Sequence, residues 1–196
     1  MSKQQAAGLN PEGHPSPWNL PNAITVARIA LVPLFIWLAL NLPLTGVAGW
    51  WAVGVFVLAI ATDGIDGAIA RSRGLITNLG KILDPIADKA LTGAGFLLLA
   101  QFGLAPWWAV MLMLVREIGI TVYRLIVVNR RVIAASSGGK VKTVLQAVVI
   151  AAMLSPLMNF SWIYIAAQVL FWATAVITVG TGVQYVVAEV RLNRAR

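Results

Sequence analysis

Long apolar runs alternate with short polar ones along this chain, and the runs have the length of membrane spans. Segments 22 to 43, 49 to 70, 83 to 101, 106 to 128, 142 to 157 and 161 to 188 are each predominantly apolar. A helix needs about 20 such residues to cross hydrocarbon. The fifth run is short, and its lower end is expected to extend into the basic loop before it. The last is long enough to tilt or to project beyond the bilayer. Because backbone groups find no water inside a membrane, helices are the expected local structure. The predicted fold class is all-α, a polytopic membrane bundle of six transmembrane helices. Residues 19 to 196 form its single domain, preceded by a flexible cytoplasmic tail over 1 to 18. The opening "MSKQQAAGLNPEGHPSPWNL" is polar and lacks the apolar segment and cleavage pattern of a signal peptide. Asn22 or Thr25 is placed to cap the first helix.

The polar connections separate into two kinds. Those at roughly 43 to 48, 102 to 106 and 156 to 160 carry no charge. The alternate ones are basic, with Arg71, Arg73 and Lys81 after the second helix and Arg130, Arg131, Lys140 and Lys142 after the fourth. By the positive-inside bias, both termini and both basic loops face the cytoplasm. This distribution changes the meaning of the net charge of +8. Such an excess would otherwise suggest nucleic acid; lying on one side of a membrane, it favours anionic headgroups and phosphorylated substrates, and no nucleic-acid partner is expected. Trp50, Trp51, Trp107 and Trp108 adjoin the uncharged loops, where an interfacial aromatic belt is expected. The chain has no cysteine, which excludes disulfides and thiolate metal ligands.

One stretch breaks the apolar pattern in a way topology does not explain. "ATDGIDGAIARSRGLITNLGKILDPIADKA", positions 61 to 90, holds four of the seven acids: Asp63, Asp66, Asp84 and Asp88. The first two are three residues apart and the second two are four apart, so each pair shares a helical face. Four nearby carboxylates repel unless protonation, basic partners or cations compensate. Arg71, Arg73 or Lys89 could neutralise one of them. A structural salt-bridge network and a proton or cation pathway are alternatives to a divalent-metal site, for which hard oxygen ligands suit Mg²⁺ or Mn²⁺. Gly64 and Gly67 flank Asp66 and would let a ligand approach the backbone, Gly80 would ease the turn into the third helix, and Arg71 supplies a phosphate-binding cation. The combination suits a metal-bridged diphosphate.

Asp63, two residues, Asp66-Gly67, two residues, Ala70-Arg71, eight residues, Gly80, three residues, Asp84, three residues and Asp88 fill every position of a known signature. In this the chain strongly resembles the CDP-alcohol phosphatidyltransferase family, over roughly positions 19 to 190. The resemblance implies that Asp63, Asp66 and Asp84 are the principal ligands of two divalent cations, Mg²⁺ or Mn²⁺, and that Asp88 assists the metal site and acts as general base. It implies that Gly67, Arg71 and Thr77 contact a CDP-diacylglycerol donor; from its sequence position alone, Thr77 fits a helix cap or a loop equally. The reaction implied releases CMP by direct displacement, in the cytoplasmic face of a bacterial inner membrane and from a possible homodimer.

The acceptor is read from a second basic region. Arg116 and Glu117 lie within the apolar fourth run, and Arg124 follows eight residues on, so the two arginines point within about 80° of each other. A structural pairing of Arg116 with Glu117 competes with an acceptor role for the arginine. Arg116, Lys140 and Lys142, with Arg28 or Arg124, could form a cationic pocket beside the metals that favours a phosphorylated alcohol. A turn at Ser137-Gly138-Gly139 could expose backbone donors to the same phosphate. "NLPNAITVAR", "REIGITVYR" and "GGKVKTVLQ" resemble the branch of the family that uses sn-glycerol 3-phosphate. Inositol phosphate or another alcohol is the alternative acceptor, and a cation-coupled transporter the alternative without catalysis.

Overall fold

The apolar runs fold as the sequence pattern predicts. In the computed structural model, which describes residues 19–73, 77–127 and 137–194, six α-helices follow one another without a strand among the described residues. They are α1 (Leu20–Asn41), α2 (Gly46–Arg73), α3 (Asn78–Gln101), α4 (Trp107–Val127), α5 (Ser137–Leu154) and α6 (Ser161–Arg194), with a 3₁₀ turn at Pro156–Asn159. The tail expected over 1 to 18 lies outside the described residues. Among the described residues, Leu20–Asn41, Gly46–Asp63 and Ser161–Tyr185 are long and apolar enough to cross a membrane, and Lys142–Leu154 is a shorter apolar helix. The protein is a membrane protein. At about 1.5 Å per residue, the 34 residues of α6 extend about 51 Å, well beyond the hydrocarbon thickness.

Helix boundaries have local causes. Asn19 caps α1: its side-chain oxygen accepts from the Asn22 N–H at 3.0 Å, and Pro21 in the first turn gives up an N–H that has no helical partner anyway. The cap is thus Asn19, three positions before the Asn22 expected from sequence, and Asn22 and Thr25 are left for other work. Thr77 caps α3, its hydroxyl oxygen accepting from the Gly80 N–H at 3.0 Å. The uncertain stretch between the second and third runs therefore divides in part: α2 continues through Arg73, and Thr77 stands just before α3. At the other end of α3, Gly103 takes φ of 69° while Leu104 N–H reaches the Leu99 carbonyl at 2.9 Å and Gly103 N–H the Ala100 carbonyl at 3.1 Å. This is a Schellman stop, and a residue with a β-carbon there would be strained. Replacing Thr77 with Ala is expected to cost about 1 kcal/mol, read from unfolding in detergent.

Two units divide the chain, Met1–Ala94 and Gly95–Arg196. In the first, α1 packs along α2 through Phe35 and Phe56, both fully buried with ring centroids 5.2 Å apart, and small residues Ala39, Ala52 and Ala59 let the helices close. In the second, α6 packs against α4 and α5 around Val110, Met113, Ile150, Leu154 and Phe171. Gly95 is required by this packing, because a β-carbon there would come within 2.6 Å of Ile150. Apolar side chains such as Trp51, Trp108, Trp162 and Val176 remain exposed, as lipid-facing residues do.

Candidate functional site

The first unit brings α1 against the acidic stretch. Thr25, one turn into α1, donates its hydroxyl to Asp84 Oδ1 at 2.8 Å. Arg28, a further turn along, donates Nη1 to Asp63 Oδ1 at 2.5 Å. Asn22, one turn before Thr25, donates Nδ2 to the Thr77 hydroxyl at 2.9 Å. These three α1 side chains are buried, whereas the Asp63 side chain stays 48% exposed and so is open to a ligand. Asp88 lies one turn beyond Asp84 on α3, and its Oδ2 accepts from Lys89 at 2.8 Å. Lys89 is thus the local basic partner of one acid, and Arg28, from another helix, the partner of a second. Asp66, Gly67 and Arg71 belong to α2, with their side-chain positions outside the described residues. Among the described residues no group of three acidic or histidine side chains could by itself hold a metal ion.

Gly80 serves this arrangement by close approach. A β-carbon on it would sit 2.7 Å from Asn22 Oδ1 and 3.2 Å from the Thr77 hydroxyl, so only glycine lets α1 reach the cap of α3 undisturbed.

The second unit gathers the other charged residues of the sequence reading around Glu117. This buried carboxylate accepts through Oε1 from Arg116 Nη1 at 2.9 Å, Lys142 Nζ at 2.5 Å and Gln146 Nε2 at 3.3 Å. Arg116 and Glu117 are neighbours on α4 and leave it in different directions, yet the guanidinium is long enough to bend back. Arg116 Nη2 also donates to Thr181 on α6 at 2.8 Å, and Gln146 approaches Thr178 at 3.4 Å. One carboxylate thereby ties α4, α5 and α6 together. Arg116, Lys142 and Glu117 sum to a formal charge of +1, and Arg116 Nε is buried without a hydrogen-bond partner among the described residues. Arg116 lines an apolar groove of about 590 Å³ with Leu112, Ile120 and Val183. Gly182 makes room for it, since a β-carbon there would meet Nε at 2.7 Å. The Ser137-Gly138-Gly139 turn expected from sequence is the first turn of α5, where helix N–H groups lack intrahelical partners and favour anions. The side chains of Arg124 and Lys140 lie outside the described residues.

Sequence reasoning placed Arg116 and Lys142 together and missed Glu117 as their common partner, along with Gln146, Thr178 and Thr181. It also missed Thr25 as a partner of Asp84. The signal was present: Asn22, Thr25 and Arg28 are the polar side chains of α1 before Asn41, spaced three apart in an otherwise apolar helix.

An all-helical membrane protein whose first helix holds one carboxylate from each of two other helices defines the class. Residues 18–180 match the CDP-alcohol phosphatidyltransferase family, and the chain belongs to that family. It is 42% identical to the probable phosphatidylglycerophosphate synthase of Mycobacterium tuberculosis (strain ATCC 25618 / H37Rv) over 178 residues, covering 88% of this chain and 82% of the relative. It is 38% identical to the CDP-diacylglycerol--glycerol-3-phosphate 3-phosphatidyltransferase of Bacillus subtilis (strain 168), covering 86% and 93%. The protein of the same name from Escherichia coli (strain K12) is 35% identical, covering 87% and 94%.

Proposed function

We propose that this chain transfers the phosphatidyl group of CDP-diacylglycerol to sn-glycerol 3-phosphate, giving phosphatidylglycerol phosphate and CMP. The observation that carries the reading is the complete aspartate signature, whose carboxylates Asp63 and Asp84 are both held from α1. The names of the relatives, over more than four fifths of this chain, support the same donor and acceptor.

The family is generally dependent on divalent cations. Asp63, Asp66, Asp84 and Asp88 would hold two of them, Mg²⁺ or Mn²⁺, and the donor set fits: hard carboxylate oxygens without cysteine or histidine. When bound, such ions neutralise the diphosphate and stabilise the departing CMP. The chain's own residues do the rest. Gly67 leaves the backbone open to the donor, Arg71 binds its phosphates, and Thr77 shapes the entry of α3 beside it. Asp88 accepts the proton of the attacking hydroxyl, so that the alkoxide forms as the phosphorus–oxygen bond is made. Arg116 and Lys142 bind the acceptor phosphate, and Lys140 and Arg124 are assigned to it by the same basic character. We place Arg28 with the acids through its bond to Asp63.

In the proposed topology all six helices span a bacterial inner membrane, both termini and the reaction site face the cytoplasm, and the assembly is a homodimer. Of the connections read from sequence, only the alternate ones carry basic residues, which supports the orientation.

The test offers purified protein CDP-diacylglycerol with sn-glycerol 3-phosphate, inositol phosphate, inositol or serine separately. CMP release and phosphatidylglycerol phosphate are expected with sn-glycerol 3-phosphate, lost on chelation and restored by Mg²⁺ or Mn²⁺. A product formed only with inositol phosphate would overturn the acceptor assignment.

A further inference from the structure

The first helix carries three polar residues that an ordinary membrane span would not keep. Asn22, Thr25 and Arg28 are 6%, 1% and 1% exposed, in a helix whose remaining side chains before Asn41 are apolar. Polar groups inside a membrane domain are costly and persist where partners satisfy them. Steps of three residues at about 100° each leave the stripe drifting by about 60° per step around α1. That drift takes it from one neighbour to the next. Asn22 and Thr25 reach α3 at Thr77 and Asp84, and Arg28 reaches α2 at Asp63.

We propose that this stripe is the positioning shell of the cation-binding carboxylates, with Thr25 fixing Asp84 and Arg28 fixing Asp63. The inference rests on the metal-site reading given above. Two features of the geometry carry it. First, the Thr25 hydroxyl has one proton to place between the Pro21 carbonyl at 3.1 Å and Asp84 Oδ1 at 2.8 Å. The bond to the carboxylate is the shorter and the charge-assisted one, so the proton belongs there. Second, both contacts engage Oδ1. Holding one oxygen fixes the rotation of the carboxylate plane and therefore the direction of the other oxygen. Such outer partners orient ligands before the ion arrives. Arg28 adds a positive charge beside one acid of the tetrad, which moderates repulsion while cations are exchanged. Asn22 completes the stripe by anchoring the Thr77 cap, which sets where α3 begins and so where Asp84 falls.

The experiment titrates Mn²⁺ into the full-length protein in detergent and follows free Mn²⁺ by its electron paramagnetic resonance signal. Thr25→Val keeps the shape and removes the donor; it is expected to weaken Mn²⁺ binding by about 10- to 100-fold. Thr25→Ser restores the hydroxyl and is expected to bind within about twofold of the unaltered protein, because the bond to Asp84 is restored. Melting in chelator separates a general loss of stability from a loss of affinity. Unaltered Mn²⁺ affinity in Thr25→Val, with Asp84→Asn losing it, would overturn the positioning role and leave the metal site standing. Equal losses in Thr25→Val and Thr25→Ser would also overturn it, since the hydroxyl would then not be the cause. Asp84→Asn binding Mn²⁺ as the unaltered protein does would overturn the metal-site reading and this inference with it.

Discussion

Asp88→Asn is expected to lower CMP release by about 10²- to 10⁴-fold, the range spanned by loss of a positioned general base. CDP-diacylglycerol binding should change far less. The amide has nearly the shape of the carboxylate and still accepts a hydrogen bond from Lys89, which contacts Asp88 Oδ2 at 2.8 Å, so the α3 surface is preserved. What the amide lacks is the ability to take a proton from the acceptor hydroxyl. Asp88 is suited to that task by position, one helical turn beyond Asp84 and only partly buried. The check combines single-turnover kinetics with a separate measurement of donor binding. Undiminished turnover would remove Asp88 from the chemistry, and a parallel collapse of donor binding would assign it to ground-state binding alone.

The second large effect is expected at Glu117. Its Oε1 is shared by Arg116, Lys142 and Gln146, all buried or nearly so. Glu117→Leu leaves two cations in an apolar helix bundle without their common anion. Breaking a buried pair in this way costs about 3–5 kcal/mol, because the remaining charge is desolvated and uncompensated. Combining Glu117→Leu with Lys142→Met removes one of the stranded cations and is expected to recover part of the loss. Unfolding of the unaltered protein, Glu117→Leu, Lys142→Met and the double variant in detergent checks this as a double-mutant cycle. Strict additivity would mean that Glu117 and Lys142 do not stabilise one another. The same network explains why two basic residues are tolerated among apolar helices: Glu117 is an anion shared by both.

Much of this was legible in the chain. The apolar runs gave the six helices, and even their departures had visible causes. The third run was expected from 83, but α3 starts at Asn78 because Thr77 and Gly80 form a cap whose residue types are plain in the sequence. The fifth was expected to reach into its preceding loop and does so, from Ser137. The first cap is Asn19 and not Asn22, because Asn19 Oδ1 accepts from the Asn22 N–H and Pro21 opens the helix; the Asn22 side chain goes to Thr77. The acidic signature was complete as written, and it lies within the family match over residues 18–180.

Partner choice was legible only between sequence neighbours: Lys89 pairs with Asp88 and Arg116 with Glu117, as their adjacency allowed. Asp63, by contrast, takes Arg28, 35 positions away. Asp84 takes Thr25, 59 positions away, and Lys142 takes Glu117, 25 positions away. The physical reason is that composition and periodicity are local. Unbroken apolar runs and intrahelical hydrogen bonding determine that a helix forms in lipid and which residues share its face. They do not determine which neighbouring helix that face meets. By itself the sequence determined the helices, the alternating basic connections and the four aspartates at their fixed spacing. Only the tertiary structure decided that α1 holds two of those carboxylates and that a single buried glutamate gathers Arg116 and Lys142, because such bonds exist only once separate helices have packed.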